Sequence, residues 1–244
     1  MHRFFAPDIA ATLALPEEES RHCVRVLRLV EGDEIEVVDG AGGLYRCRIA
    51  MAHAKRCGVE IVSQQPCSPH WGSKIMIAVA PTKNLDRMEW MSEKCTEMGI
   101  DRLTPLLCQH SERKVLKTER LRKIMVAAMK QSLKAQLPQL DELTPIEDFL
   151  AEECDAQRFI AYCDESLPRD ERKSLAQVYD PSRDAAVLVG PEGDFAPQEV
   201  EAALKAGFVP VTLGESRLRT ETAALMAVAT MHTIKTARNS QTNN

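Results

Sequence analysis

No apolar run in this chain approaches the roughly 20 residues needed to cross a bilayer. Met1-His2-Arg3-Phe4-Phe5 lacks the apolar core and small-residue cleavage site of a secretory signal, so a cytoplasmic protein without a membrane partner is expected. No two of the eight cysteines are spaced as C-x-x-C, and no H-E-x-x-H joins histidines 22, 53, 70, 110 and 232. Structural and catalytic zinc sites usually carry such close pairs. The cysteines therefore read as reduced core thiols, and no metal is expected. Neither G-x-G-x-x-G nor G-x-x-x-x-G-K-[ST] is present, which excludes the usual dinucleotide fingerprint and the P-loop. A uniform basic charge is missing too, since the net charge is −5.

What is there is a folded chain of ordinary composition, 44% hydrophobic and 27% charged, long enough for one or two domains. Its charge is uneven. Residues 71–140 hold thirteen Lys/Arg against seven Asp/Glu, while 141–244 hold ten against nineteen. A basic middle in an acidic chain can attract phosphates, or can be an ordinary solvated helix face.

Residues 1–65 read as strand-rich. An acidic turn over Pro16–Ser20 precedes a short helix near His22–Arg28. Asp33–Asp39 and Leu44–Ile49 alternate about the turn Gly40–Gly43 as a hairpin, and Val59–Val62 is a further strand. Short strands with glycine turns suggest a small barrel. Two prolines among small polar residues make 64–73 a linker. Beyond it, strands and helices alternate. Strands are predicted at 74–80, 103–107, 159–163, 187–189 and 209–213, and helices at 86–99, 118–133, 198–207 and 222–234. That order predicts an α/β domain with a mainly parallel sheet. The polar tail 238–244 is expected to be disordered.

Two late stretches carry the chemistry, Val187–Val200 (VLVGPEGDFAPQEV) and Val211–Val228 (VTLGESRLRTETAALMAV). In each, an apolar strand stops at a glycine turn and a helix follows. Two such strand ends in a parallel sheet form a place for a small molecule. In Gly190-Pro191-Glu192-Gly193, glycine permits close backbone approach and proline stiffens the turn. Arg217 and Arg219 sit before an apolar helix that Thr220 or Thr222 can cap. They either serve an anionic or carbonyl partner or pair with Glu215 or Glu221.

GPEGD and LGESRLRTETA resemble the closing motifs of the SPOUT-class methyltransferases, and more closely the RsmE family of bacterial 16S ribosomal RNA (uridine-N3)-methyltransferases. The opening Met1–Phe5, His22–Leu29, Gly32-Asp33 and Glu93–Ile100 resemble that family as well, so the likeness covers nearly the whole chain. It implies a PUA-like β-barrel at 1–68 that binds RNA, then an α/β SPOUT domain with a deep trefoil knot at 72–237. It further implies S-adenosylmethionine as cofactor, 16S rRNA as partner and a homodimer with the site at its interface. Cofactor contacts are implied along one turn, Leu188, Val189, Gly190, Pro191, Glu192 and Gly193, and along the other, Leu213, Gly214, Leu218, Thr222 and Ala223.

Methyl transfer to uridine N3 requires loss of a weakly acidic proton, with charge spreading onto O2 and O4. Arg219 first, and Arg217 second, are the candidates to stabilise that charge. Glu221, or a water held by it, is the base, or else Glu221 orients Arg219. RNA contacts are expected from Arg3, Arg25 and Arg28 near the N-terminus and from Lys83, Arg113, Lys114 and Lys134 beyond. The chain departs from the family at Asp194, where a second glycine is usual, and at Lys134, where the family often has arginine. Asp tolerates the backbone angles of such a turn, whereas lysine keeps the charge but loses the planar fork. A methyltransferase for transfer RNA or 23S rRNA, and a nonenzymatic RNA-binding assembly protein, are the alternatives.

Overall fold

The computed structural model describes residues 1–162 and 173–242. The chain divides into two compact units, one of residues 1–70 with 126–137, the other of 71–125 with 138–244.

In the first unit, β1 (Arg3–Phe5) is followed by α1 (Ile9–Thr12), α2 (Glu17–Arg21) and a π-helical turn (His22–Val26). Strands β2 (Glu34–Val38), β3 (Gly43–Met51) and β4 (Gly58–Pro66) complete it. The sheet order is β1-β2-β3-β4, with β1 parallel to β2 and the rest antiparallel. Alternation works as the pattern predicts. Ile35 and Val37 on β2 and Tyr45, Cys47 and Ile49 on β3 are buried together with Phe4, Ile9 and Cys23. Pro16 precedes a helix rather than the expected turn, because its fixed φ, −56° here, suits a helix start. The expected linker loses its first residues to β4, which runs on through Gln64 and Gln65 to Pro66. These side chains are exposed on the outer strand of the sheet, where backbone pairing to Gly43–Tyr45 needs no apolar pattern. Residues 126–137 join this unit. Met129 and Ala135 share a buried cluster with Val38, and Gly42 N–H donates to Ala135 O at 3.2 Å.

The second unit is α/β. Its elements are β5 (Ile75–Val79), α3 (Leu85–Met98), β6 (Arg102–Leu107), α4 (Thr118–Gln131, shared with the first unit), β7 (Gln139–Leu140), β8 (Thr144–Pro145), α5 (Ile146–Leu150) and β9 (Gln157–Ala161). Then come α6 (Leu175–Val178), β10 (Ala185–Val189), α7 (Pro197–Lys205), β11 (Val209–Val211) and α8 (Thr220–Thr242). The strand order is β11-β9-β10-β5-β6-β7, with β8 also on β6, and every pairing is parallel. All five residues of β10 are buried, as a central strand covered on both faces requires. On α3 the predicted stripe is real: Met88, Met91 and Cys95 are buried, Asn84 caps the start and Gly99 ends it at φ 114°. Burial pushes the Cys95 thiol up to about 12, which keeps it protonated in the core.

Cys163, placed in the strand predicted at 159–163, lies outside the described residues. The disorder predicted at 238–244 is corrected for 238–242, since α8 continues to Thr242 and Arg238 reaches Asp180 at 3.0 Å, while 243 and 244 lie outside the described residues. The buried face of α8 carries Lys235, whose ammonium donates to the carbonyls of Trp71 and Ser73 at 3.1 and 2.7 Å. Among the described residues no helix is long and apolar enough to cross a membrane.

Candidate active site at the strand ends

Parallel pairing brings the carboxyl ends of β5, β6, β9, β10 and β11 to one edge of the sheet, and at this edge the two motifs meet. The turn after β10 is drawn in tightly: a Cβ on Gly190 would lie 3.0 Å from the Phe195 ring and 3.3 Å from its backbone nitrogen. Asp194 N–H closes the turn onto Pro191 O at 2.9 Å, and Asp194 takes φ 63°. Aspartate thus holds the left-handed position of the turn, as its tolerance for that region predicts. Glu192 accepts from the backbone N–H of Lys83, 3.2 Å away, in the connection between β5 and α3. His110, after β6, approaches Asp194 O at 3.1 Å.

The second motif is tied to the first by one buried contact. Thr220 Oγ1 donates to Gly190 O at 3.1 Å. Thr220 is therefore not the simple helix cap that sequence suggests; its hydroxyl joins the two turns. The α8 start is marked by Ala223 N–H donating to Arg219 O at 2.8 Å. Glu221, in the first turn of the helix, is only 7% exposed. Its Oε1 lies 3.7 Å from Arg87 Nε on α3, and its Oε2 is buried with no hydrogen-bond partner among the described residues. Arg217 and Arg219 are exposed, and among the described residues neither forms an ion pair. The pairing of these arginines with Glu215 or Glu221, one of the two sequence readings, is not made. Arg87, which sequence reading did not single out, is the partner of Glu221. Its signal was its place in the first turn of a helix that follows a strand end.

Of the residues that the resemblance assigns to a cofactor, Leu188 and Val189 are buried in the sheet, Gly190 and Pro191 are buried at its edge, and Glu192 and Gly193 are exposed. Leu213, Leu218, Thr222 and Ala223 are half-buried and Gly214 is exposed. Leu188 packs in a cluster with Ala78, Leu106 and Phe195, so a ligand here would meet its backbone. Among the expected RNA contacts, Arg25, Arg28, Lys83 and Lys114 are exposed, and Lys134 is half-buried. Lys83 pairs with Glu112 at 3.1 Å. Arg113 donates to the carbonyls of Thr82 and Lys83 at 3.3 and 2.7 Å. Arg3 differs: it is locked to Glu36 at 2.6 Å with its side chain 10% exposed, a strut between β1 and β2. Among the described residues no three His, Cys, Asp or Glu side chains gather as a metal site.

Residues 69–232 match the family model for an RNA methyltransferase domain, and residues 15–62 that for an RNA methyltransferase PUA domain. The fold superposes on a probable rRNA-methyltransferase from Porphyromonas gingivalis with TM-score 0.92 and 44% identity, covering 98% of this chain and 100% of that one. A ribosomal RNA small subunit methyltransferase E from Neisseria gonorrhoeae, solved bound to S-adenosyl methionine, superposes with TM-score 0.83 and 27% identity over 96% and 98% of the two chains. The ribosomal RNA small subunit methyltransferase E of Synechocystis is 29% identical over 232 residues, which are 93% of this chain and 74% of that protein. Joined strand-end turns, a parallel sheet that carries them and a family model spanning most of the chain agree: the protein belongs to the RNA methyltransferase family, in the company of the small-subunit enzymes named E.

Proposed function

We propose that this enzyme transfers a methyl group from S-adenosylmethionine to N3 of a specific uridine in 16S rRNA of the small ribosomal subunit. The observation that carries the reading is the Thr220–Gly190 hydrogen bond, which holds the two glycine turns together beside two arginines that form no ion pair among the described residues. The residues fit the cofactor. The exposed turn at Gly214, with open space where a side chain would stand, lets a ligand approach the backbone, and the buried Oε2 of Glu221, without a hydrogen-bond partner among the described residues, suits a cationic or proton-bearing neighbour. The turns at 190–193 and 213–214, with Leu218, Thr222 and Ala223, would hold it. When bound, it supplies a methyl group on a sulfonium, whose neutral thioether leaves.

The protein's own part is to prepare the nucleophile. Arg219, assisted by Arg217, stabilises charge on O2 and O4 once N3 is deprotonated, and so favours the anion over the neutral base. Glu221 takes the proton; its pairing with Arg87 rather than Arg219 favours the base role over that of orienting Arg219. Positioning in a dry pocket supplies much of the remainder. The target base must be unpaired or flipped, because its N3 edge is engaged in a duplex.

In the same reading, residues 1–68 form a PUA-like barrel that binds RNA, and 72–237 form the SPOUT domain with its trefoil knot. The chain works as a cytoplasmic homodimer with the site at the subunit interface. The matches to RNA methyltransferase and PUA models support this division.

Deleting the gene in its host and mapping methylated uridines of 16S rRNA by mass spectrometry tests the assignment. One N3-methyluridine should disappear, return with wild type and stay absent with Arg219→Ala. Purified Arg219→Ala should retain cofactor affinity within a few-fold. An unchanged 16S pattern overturns the reading and directs the search to transfer RNA and 23S rRNA.

A further inference from the structure

A second concave feature lies within the α/β unit, on the surface formed by the start of α3, the segment before α4 and the first turns of α4. It is a cleft of about 710 Å³. Its walls carry Arg113, Lys117, Arg120 and Lys123, against a single carboxylate, Glu119. Its apolar lining comes from Leu85, Leu116 and the unusually exposed Val115.

The cations are not equivalent. Arg120 is spent, since its guanidinium pairs with Glu89 at 2.6 Å. Arg113 is fixed but not neutralised, because its partners are the carbonyls of Thr82 and Lys83. Lys117 and Lys123 are exposed, and among the described residues neither has a hydrogen-bond or ion-pair partner. The cleft therefore offers three positive charges that have no ion-pair partner among the described residues, against the one carboxylate of Glu119, beside the N-terminal end of α4, whose dipole has the same sign. Lys117 stands just before α4 and Lys123 on its second turn, six residues on and about 9 Å away at the helical rise, so the two ammonium groups are separate points of attachment rather than one pocket for a small anion.

The cleft is also tied to the candidate active site. Lys83, whose carbonyl holds Arg113, donates its N–H to Glu192 in the turn after β10. A strand seated on Arg113 is thus one residue link from the methyl-transfer turns.

We propose that this cleft is a docking site for the phosphate backbone of single-stranded RNA flanking the target uridine. Arg113, Lys117 and Lys123 take consecutive phosphates, and the apolar lining meets a sugar or base without reading its identity. Lys117 and Lys123 are positioning residues: they hold the strand and do not touch the reacting atoms. The inference rests on the proposed function and adds to it where the strand lies.

The test uses the full-length protein and unmodified 16S rRNA transcribed in vitro. Binding is measured between about 50 and 200 mM salt, and S-adenosylmethionine binding is measured separately by calorimetry. The double variant Lys117→Glu/Lys123→Glu should lower RNA affinity at least about tenfold and reduce the slope of log affinity against log salt by roughly 1.4, about 0.7 for each lost single-strand phosphate contact. Cofactor affinity should not change, and in a methylation assay KM for RNA should rise with kcat nearly kept. Arg122→Glu is the control, an exposed residue of the same helix that does not line the cleft, and should alter slope and KM much less. Equal effects of the control and the double variant, or an unchanged slope, overturn the proposal even if the enzyme methylates 16S rRNA. A wild-type protein that binds the RNA through this cleft but does not methylate it overturns the catalytic reading instead.

Discussion

Thr220 shows how much one side chain can decide. Its hydroxyl joins the turn after β10 to the start of α8, so its loss leaves Gly190 O without its partner at the edge of the site. Thr220→Val keeps shape and removes only the hydroxyl. It should lower stability by about 1–3 kcal/mol, the usual cost of an unsatisfied buried acceptor, read from urea denaturation. It should also weaken cofactor binding more than Thr220→Ser. A valine variant with unchanged stability and binding would show that the contact is incidental. Sequence placed both motifs but gave this threonine the wrong job. The pattern [ST] before an apolar helix describes a cap, and only the fold reveals that Gly190, thirty positions upstream, is within reach.

Among elements, legibility follows periodicity. α3, with its apolar residues four and three apart, and the all-buried β10 were readable because packing on one or both faces imprints itself on residue type. β1, β7 and β8, of two or three residues, leave no period to read. The tail of α8 was misjudged because its polar composition hides a continuing helix, anchored by Lys235 on Trp71 and Ser73.

The end of α3 also makes a sharp prediction. Gly99 has φ 114°, and a Cβ there would fall 2.6 Å from the Trp71 ring. That ring cannot yield cheaply, since its Nε1 donates to Asp101 at 2.9 Å and its edge meets His232. Gly207 has a positive φ as well, 85°, but open space around it. Gly207→Ala should therefore cost only the backbone strain, about 1–2 kcal/mol. Gly99→Ala should cost several kcal/mol, because overpacking adds to the strain. Denaturant midpoints of the two variants compare them directly, and equal losses would mean that the Trp71 contact relaxes freely.

For the whole molecule, the informative fact is that the first unit is not continuous in sequence. Composition and prolines pointed to a division near residue 70, and no local signal could show that 126–137 joins the strands before it. That segment reads as the basic end of a helix; its partnership with β2 and β3 is a long-range matter of Met129, Ala135 and Gln136 meeting Val38 and Gly40–Gly42. A fragment of residues 1–70 should consequently unfold at markedly lower urea than the same unit in the intact protein, or fail to melt cooperatively. The exposed Val38 cluster and the orphaned N–H of Gly42 are the reasons. A fragment melting with the sharpness of the whole chain would show that the inserted segment is dispensable.

The same discontinuity sets a timetable for the newborn chain. Ribosomes add about 5–20 residues each second. Strands β1–β4 are complete by Pro66, yet Met129 and Ala135, which close the cluster around Val38, are synthesised only after β5, α3 and β6. For several seconds the leading portion of the polypeptide waits with an apolar side uncovered. Translation pauses or chaperone contacts in that interval would act on the N-terminal strands first, long before either glycine turn of the catalytic edge exists.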